Sequence, residues 1–268
     1  MNRLEGIFAR CRAENRKALV VYLTASDPDF DTSRRLLLAA AAAGADIIEV
    51  GMPWSDPSAD GIAIQAAMQR ALAAGGGLTQ SLALCRAVRA ENADVGLVLF
   101  GYANPIIVTG VDQFAQRAHE SGGDALLCVD WPPDEGPELL AALTKHKMGF
   151  IPLLAPTSTP ARMAVAAAAA RGFIYYVSMT GITGVKLADL EGPRQHVADI
   201  RVASANRHPI VVGFGITNPG DARAIGTFAD GVVGGSAAVR IVEQAAAAGR
   251  DPVPELGAFV KSLADALR

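Results

Sequence analysis

Eight short apolar runs, each followed by a longer Ala- and Leu-rich stretch, recur along this 268-residue chain. They lie at 19–24, 46–51, 96–101, 125–130, 150–154, 173–178, 210–215 and 231–234. The runs are continuous rather than alternating, as expected of parallel strands buried on both faces. Helices are expected between them at 32–43, 62–74, 78–90, 111–121, 137–147, 159–170, 187–206, 219–225 and 237–248, with a last one at 254–267. Asp31, Thr79, Asp112, Thr157 or Ser158, and Asn218 are the expected caps. Gly44, Gly75, Gly122, Gly172 and Gly249 stand where helices should stop. Eight strand–helix units with no linker or composition break favour one α/β domain over residues 1–268. The expected architecture is a (β/α)8 TIM barrel with extra helices; a doubly wound sheet is the alternative.

Composition narrows the function classes. About half the residues are hydrophobic (51%), the net charge is −3, and acids and bases are mixed along the chain. No basic patch favours nucleic acid as partner. A small anionic ligand needs only local donors and stays open. Cys11, Cys85 and Cys128 are far apart, with neither metal-ligand spacing nor a disulfide framework. They are expected to be thiols in a reducing cytosol. The first eight residues carry charge and lack an apolar signal core. The most apolar helical stretch, 36–45, is far shorter than a bilayer requires. The expectation is a cytoplasmic protein without a membrane span or a bound metal.

In such a barrel, functional groups collect at the C-terminal ends of strands. Glu49 closes the second run, where burying a carboxylate is unfavourable unless something uses it. The loop behind it carries Asp56 and Asp60. Tyr102, Asp130, Tyr175 and Thr183 fall within or just after later runs. The four carboxylates each have a plainer reading beside the catalytic one. Glu49 is otherwise a structural carboxylate paired with a base, and Asp60 a cap for the helix at Ile62. Asp56 is otherwise a turn former, and Asp130 a structural acceptor.

The last two units differ in character. Gly213-Phe214-Gly215-Ile216 and Gly234-Gly235-Ser236-Ala237 each end a strand and lead into a helix. Glycines there let backbone N–H groups approach an anion, at the recurrent phosphate position of barrels. Arg240 is a candidate helper. The Gly/Thr-rich segment 178–186 is a candidate lid contributing the Gly184 N–H. His119, His146, His196 and His208 lie away from the expected active face, and no lysine ends a strand. Triad, Schiff-base and metal chemistry are therefore disfavoured.

The block Ile48-Glu49-Val50-Gly51-Met52-Pro53-Trp54-Ser55-Asp56-Pro57-Ser58-Ala59-Asp60-Gly61, with Ile64-Gln65, resembles the signature of the tryptophan synthase alpha subunit family. So do Gly101 to Ile106, Tyr175 to Ser178, Thr180 to Gly184, Gly213 to Ile216, and Gly235-Ser236. The resemblance covers nearly the whole chain, in order. It implies a lyase that cleaves indole-3-glycerol phosphate into indole and glyceraldehyde 3-phosphate. Glu49 is then the acid/base and Asp60 the acceptor for the indole N–H. Tyr22, Phe100, Leu127, Tyr175, Thr183 and Phe214 surround the substrate. Gly184, Gly215, Gly235 and Ser236 hold its phosphate.

The resemblance also implies a beta subunit that carries pyridoxal phosphate, in an alpha2beta2 assembly, with no cofactor in this chain. Pro53, Asp56 and Asn104 match positions expected at that interface. Two positions depart from frequent family members. Tyr22 stands where phenylalanine is common, and Met179 replaces an arginine found in some lid loops. A lyase releasing free indole without a partner, and a catalytically weak allosteric subunit, share these residues. A sugar-phosphate isomerase needs a strand-end His or Lys that is not evident.

Overall fold

The structure, a computed structural model, describes residues 3–177, 190–213 and 215–268. The expectations for Met179, Thr183, Gly184 and Phe214 lie outside the described residues. In chain order the elements are α1 (Arg3–Ala13), β1 (Ala18–Thr24), α2 (Phe30–Ala42), β2 (Ile47–Gly51), α3 (Ile62–Ala73), α4 (Leu78–Glu91), β3 (Gly96–Gly101), α5 (Ala103–Thr109), α6 (Val111–Glu120) and β4 (Ala125–Cys128). There follow α7 (Pro137–Lys145), β5 (Gly149–Phe150), β6 (Leu153–Leu154), α8 (Pro160–Ala169), β7 (Ile174–Val177), α9 (Glu191–Ala203), β8 (Ile210–Gly213), α10 (Pro219–Gly226), β9 (Gly231–Gly234), α11 (Ser236–Ala247) and α12 (Val253–Ala266).

The strands are parallel and ordered β5-β4-β3-β2-β1-β9-β8-β7-β6. The two end strands, β5 and β6, are separated only by Ile151 and Pro152. Ile151 N–H donates to Leu126 O of β4 (2.9 Å), and Tyr175 N–H of β7 donates to Pro152 O (3.0 Å). One run of chain thus joins both sheet ends, and the barrel closes. Pro152 has no N–H to give the ladder, which splits the fifth run in two. The fourth run ends at Cys128, two residues earlier than expected.

Strand alternation sorts the core into two shells. Ala18, Val20 and Tyr22 of β1 point inward with Val98, Phe100, Leu127, Tyr175, Val211 and Val233. Leu19, Val21 and Leu23 point outward against the helices. Helix α1 closes the N-terminal end of the barrel. Its Leu4, Ile7, Phe8 and Cys11 join the inner shell, and Phe8 meets Phe173 at 5.8 Å between centroids. The opposite end, where the strands finish, is the mouth.

Several helix caps differ from expectation. Asp29, not Asp31, accepts from Thr32 N–H at the start of α2. Thr159, rather than Thr157 or Ser158, caps α8, while Asn218 caps α10 as expected. Helices α4 and α6 start at Gly77 and Gly110 without a side-chain cap bond, so Thr79 and Asp112 lie inside the first turn. Asp112 instead pairs with Lys145 (2.8 Å) and His146 (3.0 Å).

Candidate active site

Glu49 sits on β2 with Ile47, both facing inward, one residue out of phase with Ile48 and Val50. In register it pairs with Tyr22 of β1 on one side and Val98 of β3 on the other. Its exposure is 1%. Both carboxyl oxygens are buried without a hydrogen-bond partner among the described residues. Burial alone pushes its pKa from 4.5 up to about 8, because the charged form has lost its water. Among the described residues no base pairs with Glu49, as a structural ion pair would require.

Asp60 is held differently. The Tyr102 hydroxyl donates to Asp60 Oδ2 at 2.6 Å and accepts from Ala59 N–H at 3.1 Å. Asp60 O accepts from Gln65 Nε2 of α3 at 2.7 Å. Helix α3 begins at Gly61 without a side-chain cap bond, so Asp60 is free of the capping role. Burial, the larger cause, raises its pKa, and the Tyr102 hydrogen bond offsets part of that rise. The two carboxyls thus have opposite supports: Glu49 is dry and unpartnered, and Asp60 keeps a donor that favours its charged form.

The inner wall gathers four of the expected substrate residues. Tyr22, Phe100, Leu127 and Tyr175 are buried in one cluster. Tyr22 and Phe100 meet edge to face at 5.1 Å, and Phe100 pairs in register with Leu127. The Tyr22 hydroxyl reaches Thr24 Oγ1 at 3.4 Å. Both Tyr22 and Tyr175 have their phenol pKa raised, first by burial and then by the nearby Glu49 and Asp60 carboxyls. The two tyrosines and two carboxyls therefore share one space.

Neither Gly51 nor Gly213 was singled out from sequence as making room. A Cβ at Gly51 would collide with the Tyr22 ring and hydroxyl, and one at Gly213 with those of Tyr175. The signal for both was a glycine two residues beyond an inward position on a strand. The partnership of Tyr102 with Asp60 was also missed, although Tyr102 continues the inward phase of Phe100.

At the far side of the mouth, Gly215 adopts φ +60, a conformation that favours glycine, and is exposed. Gly235 and Ser236 are half-buried at the start of α11, where N–H groups have no intrahelical acceptor. Arg240 lies on the second turn of that helix. Asp130 proves to be a structural acceptor: its Oδ1 takes the Ala103 N–H at 2.8 Å, at the start of α5. Asp56 and Asn104 are exposed near the mouth, whereas Pro53 is buried. No group of three or more His, Cys, Asp or Glu suited to a metal occurs among the described residues. No described helix is long and apolar enough to cross a membrane.

The chain is similar along its length to known proteins. The sequence profile of the family described as tryptophan synthase alpha chain matches residues 8–268. The tryptophan synthase alpha chain of Geobacter sulfurreducens is 44% identical over 268 residues, covering 100% of this chain and 98% of that protein. The solved tryptophan synthase subunit alpha of Legionella pneumophila superposes with a TM-score of 0.93 at 35% identity, covering 100% of this chain and 98% of that one. A chain of Mycobacterium tuberculosis tryptophan synthase gives 0.91 at 37% identity, covering 100% and 98%. A full-length match in sequence and fold shows that the chain belongs to the tryptophan synthase alpha chain family, the lyases that cleave indole-3-glycerol phosphate in tryptophan biosynthesis.

Proposed function

We propose that Glu49 is the general acid and base of this cleavage and that Asp60 is the charge facing the indole N–H. The reading rests on a fully buried carboxyl on the inner wall of the barrel, both of whose oxygens are without a hydrogen-bond partner among the described residues. Breaking the bond between indole C3 and the glycerol chain returns its electron pair to the ring. The ring must first become an acceptor. Protonation of C3 by the neutral Glu49 acid does this and places positive charge on the ring nitrogen. The Asp60 carboxylate stabilises that charge through the N–H. Glu49, now ionised, takes the proton of the adjacent glycerol hydroxyl as its carbon becomes the aldehyde of glyceraldehyde 3-phosphate. The bond pair restores the aromatic ring, and Glu49 ends protonated as it began.

Tyr22, Phe100, Leu127 and Tyr175 supply the apolar wall for the ring, with Thr183 and Phe214 proposed to complete it. Gly215, Gly235 and Ser236, with Gly184, would hold the phosphate through backbone N–H groups and the start of α11. Asp56 and Asn104, with Pro53 shaping the loop beneath, belong to the face offered to a beta subunit in an alpha2beta2 assembly. Pyridoxal phosphate would reside in that partner, and this chain would act as one barrel domain in the cytoplasm without a cofactor of its own.

The test is indole release from indole-3-glycerol phosphate with a beta subunit present. Glu49→Gln keeps shape but cannot move a proton, and its turnover should fall by about 10²–10⁴ or more. Unchanged indole release by a folded Glu49→Gln chain would remove Glu49 from the chemistry.

A further inference from the structure

Asp60 stands on a loop, yet its role requires a fixed position and a retained charge. The Tyr102 side chain meets both needs. Val98 and Phe100 of β3 face inward, and Tyr102 continues that phase one step beyond the strand. Met52 N–H donates to Phe100 O at 2.8 Å, so the end of β3 lies beside the start of the loop carrying Asp60. Tyr102 is 3% exposed, with its hydroxyl inside that loop. We infer that Tyr102 is a positioning residue for the reaction: its hydroxyl clamps Asp60 by donating to the carboxylate while accepting from Ala59 N–H. This rests on the reading of Asp60 as the charge facing the indole N–H.

The hydroxyl has one proton to give and gives it to Asp60 Oδ2 at 2.6 Å. A charge-assisted bond of this length favours the ionised carboxylate and fixes one oxygen. Among the described residues nothing bonds the second oxygen, Oδ1, and that is the oxygen offered to the substrate. Accepting from Ala59 N–H orients the phenol, so that its proton points at Asp60. The backbone of Asp60 is tied separately by Gln65 Nε2. Loss of the Tyr102 hydroxyl would therefore leave the loop anchored and release mainly the carboxylate. Burial, now unopposed, would favour the neutral form of Asp60.

The experiment is the pH profile of indole release by the assembled enzyme. Its acid limb reports the group that must be ionised, and its alkaline limb the group that must be protonated. Tyr102→Phe should move the acid limb to higher pH, leave the alkaline limb in place and lower kcat about tenfold at neutral pH. Incorporating 3-fluorotyrosine at position 102 keeps the shape and makes the phenol a stronger donor. The acid limb should then move to lower pH, an outcome available even if Tyr102→Phe does not fold. An acid limb that stays in place in the folded variants would overturn the inference, whatever happens to the rate. The Asp60→Asn chain separates the two levels. If it retains full activity and the acid limb, the underlying role of Asp60 fails; if it loses them while the position 102 variants keep the parent limb, only the role of Tyr102 fails.

Discussion

Two residues eleven positions apart in sequence acquire different acidities because one is dry and the other is hydrogen-bonded. Among the described residues Glu49 has no donor on either oxygen, and Asp60 has one from Tyr102. The apolar run around Glu49 made the first half of this legible in the sequence. The second half was not, because Tyr102 lies 42 positions from Asp60 and meets it only through the pairing of β2 with β3. The space occupied by Tyr22 was hidden for the same reason, since it is set by Gly51 on the neighbouring strand. Gly51→Ala should therefore destabilise the chain by about 1–3 kcal/mol through overpacking. In a Tyr22→Leu background the same change should cost much less. Denaturant unfolding of the four chains measures the coupling, and additive costs would show that the two positions do not share the space.

At the scale of elements, the strands were legible because being buried on both faces leaves a continuous apolar run. Helices α1 and α5 were missed for different reasons. Leu4, Ile7, Phe8 and Cys11 do form a helical stripe, but it precedes the first strand, so the strand–helix repeat does not call for a helix there. Helix α5 has seven residues, rich in β-branched side chains and interrupted by Pro105, so its local preference is weak. Tertiary bonds hold it: Asp130 accepts from Ala103 N–H, and Tyr102 precedes its first turn. This helix exposes Ile107 and Val108 (79%) at the mouth, beside the loop that carries Asp56. If α5 belongs to the face offered to a beta subunit, Val108→Asp should leave unassisted indole release unchanged. It should weaken the stimulation by added beta subunit about tenfold or more, read as a shift in the beta concentration needed. Stimulation at the parent concentration would place the contact elsewhere.

The whole barrel produces what no single strand can. Eight parallel runs, closed through the split fifth one, turn every second side chain into a common interior, and α1 plugs one end. The carboxyl on that inner wall is surrounded by apolar groups from several strands, which is what displaces its proton equilibrium. Sequence reading reached the barrel and the identity of Glu49; the amount of water removed depends on all the strands together and was not legible. The sign of the consequence is definite. Glu49 titrates near 4.5 in the unfolded chain and near 8 in the folded one, so folded protein holds the extra proton between those values. Its contribution to stability is present below pH 4.5 and is lost as pH rises through about 8. The most direct test is an infrared titration that compares the parent with Glu49→Gln and follows the C=O stretch of a protonated carboxylic acid. The expected result is a band at pH 7 that only the parent possesses and that fades with a midpoint near 8. A band that is absent at pH 7, with Glu49 titrating near 4.5, would contradict the claim that this residue enters the reaction as an acid.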